Sequence, residues 1–229
     1  MIKFENTDVV GWEHAIRGMR NPKNSWEKSD SCFCTDRPEC EGSCPVFIGP
    51  NDHSLMMKLR NAGTDHRKFM RMITVYVDIL APLYWWKEFE TYRTGVSPNP
   101  TDIELNSCST MHKVTEKEFV LSDFSSEHLL PDAKQTLMCT IDELNYYRAM
   151  YFDQKAKGKE DLANLYWWQI IQILPSSYNQ KRTMGVNYEA LAAMYYWRHD
   201  HKLDEWHTLC DWMETLPNSE IITLQEVKA

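Results

Sequence analysis

The chain has 229 residues, 25 Lys+Arg against 33 Asp+Glu, and a formal net charge of −8. That length can bury a core of its own, so residues 1–229 are expected to form one domain, and the acidic balance excludes the broad basic footprint of a nucleic-acid-polymer binder. With no apolar run of about 18 residues and no apolar leader core, neither a membrane span nor secretion is expected, and the chain reads as cytoplasmic.

Ile2 to Phe4 reads as a short opening strand, followed by a helix with Trp12, Ala15, Ile16 and Met19 on one face. Residues 21–54 are rich in Pro, Gly, Ser and Asp and have no steady period, so an irregular loop is expected there. It contains Cys32, Cys34, Cys40 and Cys44, thiols that could hold zinc tetrahedrally. Their C-x-C-x5-C-x3-C spacing is not the usual pair of C-x2-C knuckles, and a loop of reduced, partly buried thiols is the simpler reading. Seven cysteines, an odd number, do not suggest a disulfide framework.

Ser54 or Asp52 is placed to cap a helix through Leu55, Met56, Leu59 and Arg60 that ends at Gly63. Ile73, Val75, Val77 and Ile79 alternate with Met72, Thr74, Tyr76 and Asp78, which is strand periodicity. Pro82 suits the first turn of a following helix carrying Leu83, Trp86 and Phe89. Short helical pieces are expected over 123–130 and 134–139, and Thr140-Ile-Asp-Glu143 reads as a capping box opening a helix that runs to Gly158. A helix over Glu160–Leu174 places Leu162, Leu165, Tyr166, Gln169, Ile170 and Ile173 on one face and stops at Pro175. Residues 176–185 are a polar loop or short strand, and two amphipathic helices follow over 186–197 and 202–215. The polar tail from Pro217 is expected to be peripheral. The total is helix-rich with a few strands, an α+β chain.

No Gly-rich phosphate loop, Ser-His-Asp order or H-E-x-x-H helix occurs. Three polar clusters remain. The first is Arg93, Asn99, Asn106, Ser107, Ser109, His112 and Lys113; the second is Asn179, Gln180, Lys181 and Arg182; the third pairs Asn187 with Arg198. Arg and Lys beside Ser hydroxyls suit a phosphate, and Asn and Gln can read the edge of a base or flavin ring. Each cluster taken singly also reads as a solvated loop or a cap. His199, His201 and His207 do not fall on one helical face and are read as solvated or core-edge histidines.

Taken in order, these motifs resemble the flavin-dependent thymidylate synthases. Gly63-Thr-Asp-His66 before the strand is similar to that family's histidine segment, and Trp85 to Arg93 to the helix leading into its R-H-R-x-x-S-x-N-x-x-S-x-R motif, with Tyr92-Arg93 at the His-Arg position. Asn106-Ser-Cys-Ser109 matches N-x-x-S, and Leu174-Pro175, Asn187, Arg198 and Leu203-Asp-Glu-Trp206 complete the order. Thr91 stands where the motif has its first Arg and Met111 where it has its last, Ser97 to Leu105 is inserted, and Ile171-Gln172 replaces an arginine before the Leu-Pro turn. The resemblance implies a small, mainly antiparallel sheet and a homotetramer with FAD between subunits. It also implies reductive methylation of dUMP with methylenetetrahydrofolate and NADPH as co-substrates. On the same mapping Ser109 and Arg198 are catalytic, and His66, Asn187 and Tyr92 meet the flavin. Arg93, Asn106, Ser107, Lys181 and Arg182 hold the nucleotide. Two alternatives stand beside it: a non-catalytic nucleotide-binding or interaction protein on the same fold, and a zinc-stabilised helical binding module.

Overall fold

The structure is a computed structural model and describes residues 2–33, 46–92 and 103–224. The strands are β1 (Lys3–Val10), β2 (Thr74–Pro82), β3 (Ile103–Ser107) and β4 (Asn179–Asn187). They form one small antiparallel sheet in the order β1-β2-β4-β3. The helices are α1 (Trp12–Arg20), α2 (Pro50–Asn61), α3 (Leu83–Phe89), α4 (Pro131–Ala156), α5 (Glu160–Ile173), α6 (Tyr188–Arg198), α7 (Asp204–Glu214) and α8 (Glu220–Thr223). The α+β class expected from the pattern is the class observed.

Two compact units are distinguishable. One comprises Met1–Lys3, Ile79–Glu90 and Asn106–Thr183; the other comprises Phe4–Asp78, Thr91–Leu105 and Met184–Ala229. In the second unit, alternation along β2 sends Ile73, Val75 and Val77 into the core while Thr74 and Tyr76 face the other way. The β2–β4 register is fixed at its ends: the Tyr188 N–H donates to the Ile73 carbonyl at 3.0 Å, and the Leu83 N–H donates to the Tyr178 carbonyl at 3.0 Å. Trp12, Ala15, Ile16 and Met19 of α1 are buried, as their spacing predicts. Gly11 before them has φ +93°, and a Cβ there would lie 1.9 Å from the Met72 carbonyl oxygen, so only glycine fits.

Several expectations are corrected. Helix α2 starts at Pro50 rather than at a Ser54 or Asp52 cap, and Asp52 is buried instead as the partner of Arg20. Pro82 ends β2 and caps α3 from outside. Residues 124–130 are not helical, whereas the pieces read separately beyond them form the single 26-residue helix α4. The apparent capping box at Thr140 lies inside it, where the Thr140 hydroxyl donates to the Thr136 carbonyl at 3.0 Å. In α5 the core takes Ala163 and Ile170, while Leu162 and Leu165 are exposed. The tail is not peripheral: Ile221 and Ile222 of α8 are buried, and Arg60 donates to the Ile221 carbonyl at 2.8 Å. Among the described residues no helix is long and apolar enough to cross a membrane.

The first unit has its own core, in which Leu137, Ile141 and Leu144 of α4 and Ile170 of α5 pack on Val114, Phe119 and Phe124.

Candidate functional site

The second unit holds His66, Tyr92, Asn187 and Arg198. Asn187 stands where β4 becomes α6. Its side-chain oxygen accepts from the Ala190 N–H at 2.9 Å, capping the helix. It also lines a cavity of about 310 Å³ with Arg71, Thr74, Tyr76, Glu104 and Gly185. The register makes this cavity: Thr74 and Tyr76 are the outward row of β2, and Gly185 and Glu104 come from β4 and β3. Gly185 leaves room for the half-exposed Tyr76 ring, since a Cβ there would lie 3.1 Å from its Cε1. Glu189, in the first turn of α6, accepts from Arg67 at 3.0 Å and is paired with Arg71, which fixes the Arg71 guanidinium at the cavity wall.

At the other end of α6 the Arg198 guanidinium lies 5.1 Å from the Tyr92 ring centre and 4.7 Å from that of Trp206. Both rings are buried and lie 5.7 Å apart, a geometry that holds a cation by its attraction to the ring faces. His66 is exposed, ahead of the 3-10 turn Arg67–Met72. It lines a cavity of about 430 Å³ whose apolar wall includes Met19, Leu59, Phe69 and Met72.

Asn106, Ser107, Ser109, Lys181 and Arg182 belong to the first unit. Asn106 and Ser107 end β3 and are exposed. The Ser109 hydroxyl accepts from the His112 N–H at 2.9 Å and the Met111 N–H at 3.3 Å, closing a local turn. Trp167 of α5 ties that turn down through the Met111 carbonyl at 3.0 Å. Lys181 and Gln180 of β4 grip the neighbouring backbone: the Cys108 N–H donates to the Lys181 carbonyl at 3.0 Å, and Gln180 donates to the Cys108 carbonyl at 2.5 Å. Arg182 is paired with Glu90, donates to Gln180 at 3.0 Å and lies 4.4 Å over the Trp86 ring. Its guanidinium is thus engaged within the protein.

Arg93 lies outside the described residues, as do Cys34, Cys40 and Cys44. Cys32 is present as a free thiol, its backbone bridged to Phe47. Among the described residues no group of three or more His, Cys, Asp or Glu could hold a metal ion. His199 stacks on Tyr195 and pairs with Asp200, while His201 accepts from the Leu203 N–H at 3.1 Å at the start of α7. The Cys210 thiol of α7 is pushed up to about 12, first by burial and then by Asp211 and Glu214, so it is a protonated core thiol at neutral pH.

Sequence reasoning missed Arg71, Thr74, Tyr76, Glu104 and Gly185. The available signal was the aromatic Tyr76 within an otherwise polar outward row of β2, but its partners follow only from the sheet register.

The fold carrying these groups is that of the flavin-dependent thymidylate synthases. The chain is similar to thymidylate synthase X from Helicobacter pylori in a crystal structure with FAD and dUMP, at 16% identity and a TM-score of 0.62 over 98% of each chain. A second structure of that enzyme complexed with FAD and dUMP gives 16% identity and a TM-score of 0.63, covering 97% of this chain and 98% of the other. The UMP/dUMP methylase PolB from Streptomyces cacaoi, bound with 5-Br dUMP, is 10% identical with a TM-score of 0.51, covering 94% of this chain and 88% of the other. No protein-family model matches the chain, and no curated protein does. At these identities the likeness is one of fold.

Proposed function

We propose that this chain is a flavin-dependent enzyme that reductively methylates a deoxyuridine monophosphate, converting dUMP to dTMP or acting on a related pyrimidine nucleotide. The observation that carries the reading is the cavity at Asn187. It lies on the outward sheet face of the flavin-dependent thymidylate synthase fold, beside an exposed tyrosine ring and a held arginine. An aromatic surface, an amide and a guanidinium around about 310 Å³ suit one moiety of FAD rather than the whole cofactor. FAD supplies hydride transfer, which protein side chains cannot.

In the overall reaction methylenetetrahydrofolate gives the one-carbon unit, NADPH gives a hydride and solvent a proton, and tetrahydrofolate and NADP⁺ leave with dTMP. Asn187 and Tyr76 line the flavin site, with His66 at the second cavity. Arg198, held between Tyr92 and Trp206, orients the nucleotide, as does Arg93; Asn106, Ser107 and Lys181 of the first unit are assigned to nucleotide binding by the family resemblance alone. Ser109 stands near the pyrimidine, and Arg182 supports the site through Gln180. The working form is a cytoplasmic homotetramer.

Titration of the purified protein with FAD is the first test. Saturable uptake with a bound-flavin spectrum, followed by dUMP-dependent NADPH oxidation in the presence of methylenetetrahydrofolate, is the expected result. Protein that takes up no flavin overturns the reading. A second reading, a nucleotide-binding protein without catalysis, is favoured by the engagement of Ser109 in its own turn and of Arg182 with Glu90. FAD and dUMP binding without NADPH oxidation would select it.

A further inference from the structure

We infer that the junction of α1 and α2 carries a separate anion site for a phosphate group, best matched by a diphosphate. A cavity of about 660 Å³ opens there, with Lys23, Lys28 and Lys58 on its walls and Asn51 and Ser54 beside them. No carboxylate is among its described lining residues. Lys23, Lys28 and Lys58 take part in no ion pair among the described residues. Convergence of like charge without a counterion raises the local potential, and it does so here in a chain of net charge −8.

The floor of the cavity is rigid and electrically spent. Arg20 donates to Asp52 at 2.6 Å, to the Ser25 carbonyl at 3.1 Å and to the Lys28 carbonyl at 3.0 Å. Asp52 in turn accepts from the Ser29 and Ser31 hydroxyls at 2.7 Å each. This buried pair cancels its own charge and pins the backbone on which Lys28 stands, leaving the lysine ammonium groups as the net charge of the site. Compact ammonium groups with hydroxyl and amide donors alongside are a donor set for phosphate oxygens, and several lysines match an anion of more than one charge. None of these groups lines the Asn187 cavity; Lys23 also lines the His66 cavity, so the variants that test the anion site leave Lys23 unchanged.

The test uses the full chain at constant ionic strength. Isothermal titration with inorganic pyrophosphate, orthophosphate and ADP is compared for the native chain and for the Lys28→Ala/Lys58→Ala double variant, both of whose side chains are exposed. Expected is saturable pyrophosphate binding at one site per chain, at least tenfold weaker in the double variant and retained in Lys28→Arg/Lys58→Arg, with FAD uptake unchanged in both. ADP binding more tightly than pyrophosphate identifies a nucleotide as the source of the diphosphate; equal binding identifies the free anion. Heat signals that are non-saturating, or the same in the native chain and the alanine variant, overturn the site whatever the outcome of the flavin titration.

Discussion

Asp52 joins the start of α2 to the end of α1 in the second unit. Its side chain is fully buried against Arg20. Burial opposes its ionisation, but hydrogen bonds from Ser31, Ser29, Arg20 and the Asp30 N–H outweigh that and hold its carboxyl below the usual range. A depressed carboxylate contributes stability that is present above the unfolded-state value of about 3.9 and is lost as pH falls through the lower folded value. Asp52→Asn leaves a buried guanidinium without its counter-charge, and urea unfolding at pH 7 should show a loss of about 3–5 kcal/mol. Below about pH 4 the gap between native and variant should narrow. A constant gap from pH 7 to pH 3 would assign the loss to packing instead. Gly185 offers the complementary experiment, because it shapes a cavity rather than a core. Gly185→Val places methyl groups against the Tyr76 ring, which is half exposed and can swing aside. A β-branched residue also suits a strand. Thermal unfolding should therefore stay unchanged or rise slightly, while flavin affinity falls at least tenfold; unchanged affinity would remove this cavity from the proposed site.

At the scale of elements, periodicity was informative wherever one element buries one face. The alternation of Ile73, Val75 and Val77 and the spacing of Trp12, Ala15, Ile16 and Met19 reappear as buried rows in β2 and α1. It failed where local chemistry imitates a boundary. Thr140-Ile-Asp-Glu143 has the composition of a helix start, yet within α4 the threonine hydroxyl is satisfied by the preceding turn and nothing interrupts the helix. It failed again at α8, whose four residues are too few to show a period although Ile221 and Ile222 are buried. The site divides in the same way. The placement of Asn187 and Arg198 at the two ends of one helix was legible, whereas the cavity walls contributed by Thr74, Glu104 and Gly185 depend on strand pairing that no local pattern states. The turn between α4 and α5 was legible for a local reason: Gly158 has φ +68°, and a Cβ there meets nothing within 4 Å. Gly158→Ala should cost about 1 kcal/mol through backbone conformation alone, lowering Tm by roughly 2–4 °C. Gly158→Asn, which tolerates the left-handed region, should recover part of that shift. Equal losses for both would point to a side-chain clash that the open surroundings do not supply.

At the scale of the whole molecule, the apolar side chains left in solvent on α4 and α5 require an account. Met138, Tyr146 and Phe152 are exposed on α4, and Leu162, Leu165 and Trp168 on α5, with Leu165 at 58% and Trp168 at 48%. Single exposed apolar residues are ordinary, but this many large ones on two successive helices is the composition that the proposed assembly would call for on a contact surface. The homotetramer proposed above supplies such a contact. Stable interfaces draw most of their energy from a few large central side chains, so charges placed there should act strongly on assembly and weakly on the fold. Leu165→Glu combined with Trp168→Glu should shift sedimentation equilibrium from tetramer toward dimer or monomer at micromolar concentration, with an unchanged far-ultraviolet circular dichroism spectrum. If the flavin binds between subunits, as the family resemblance implies, FAD uptake should fall in parallel with assembly across a protein dilution series. Full assembly with both charges present would place the subunit contacts elsewhere, and undiminished flavin uptake by a dissociated variant would make the site complete within one chain.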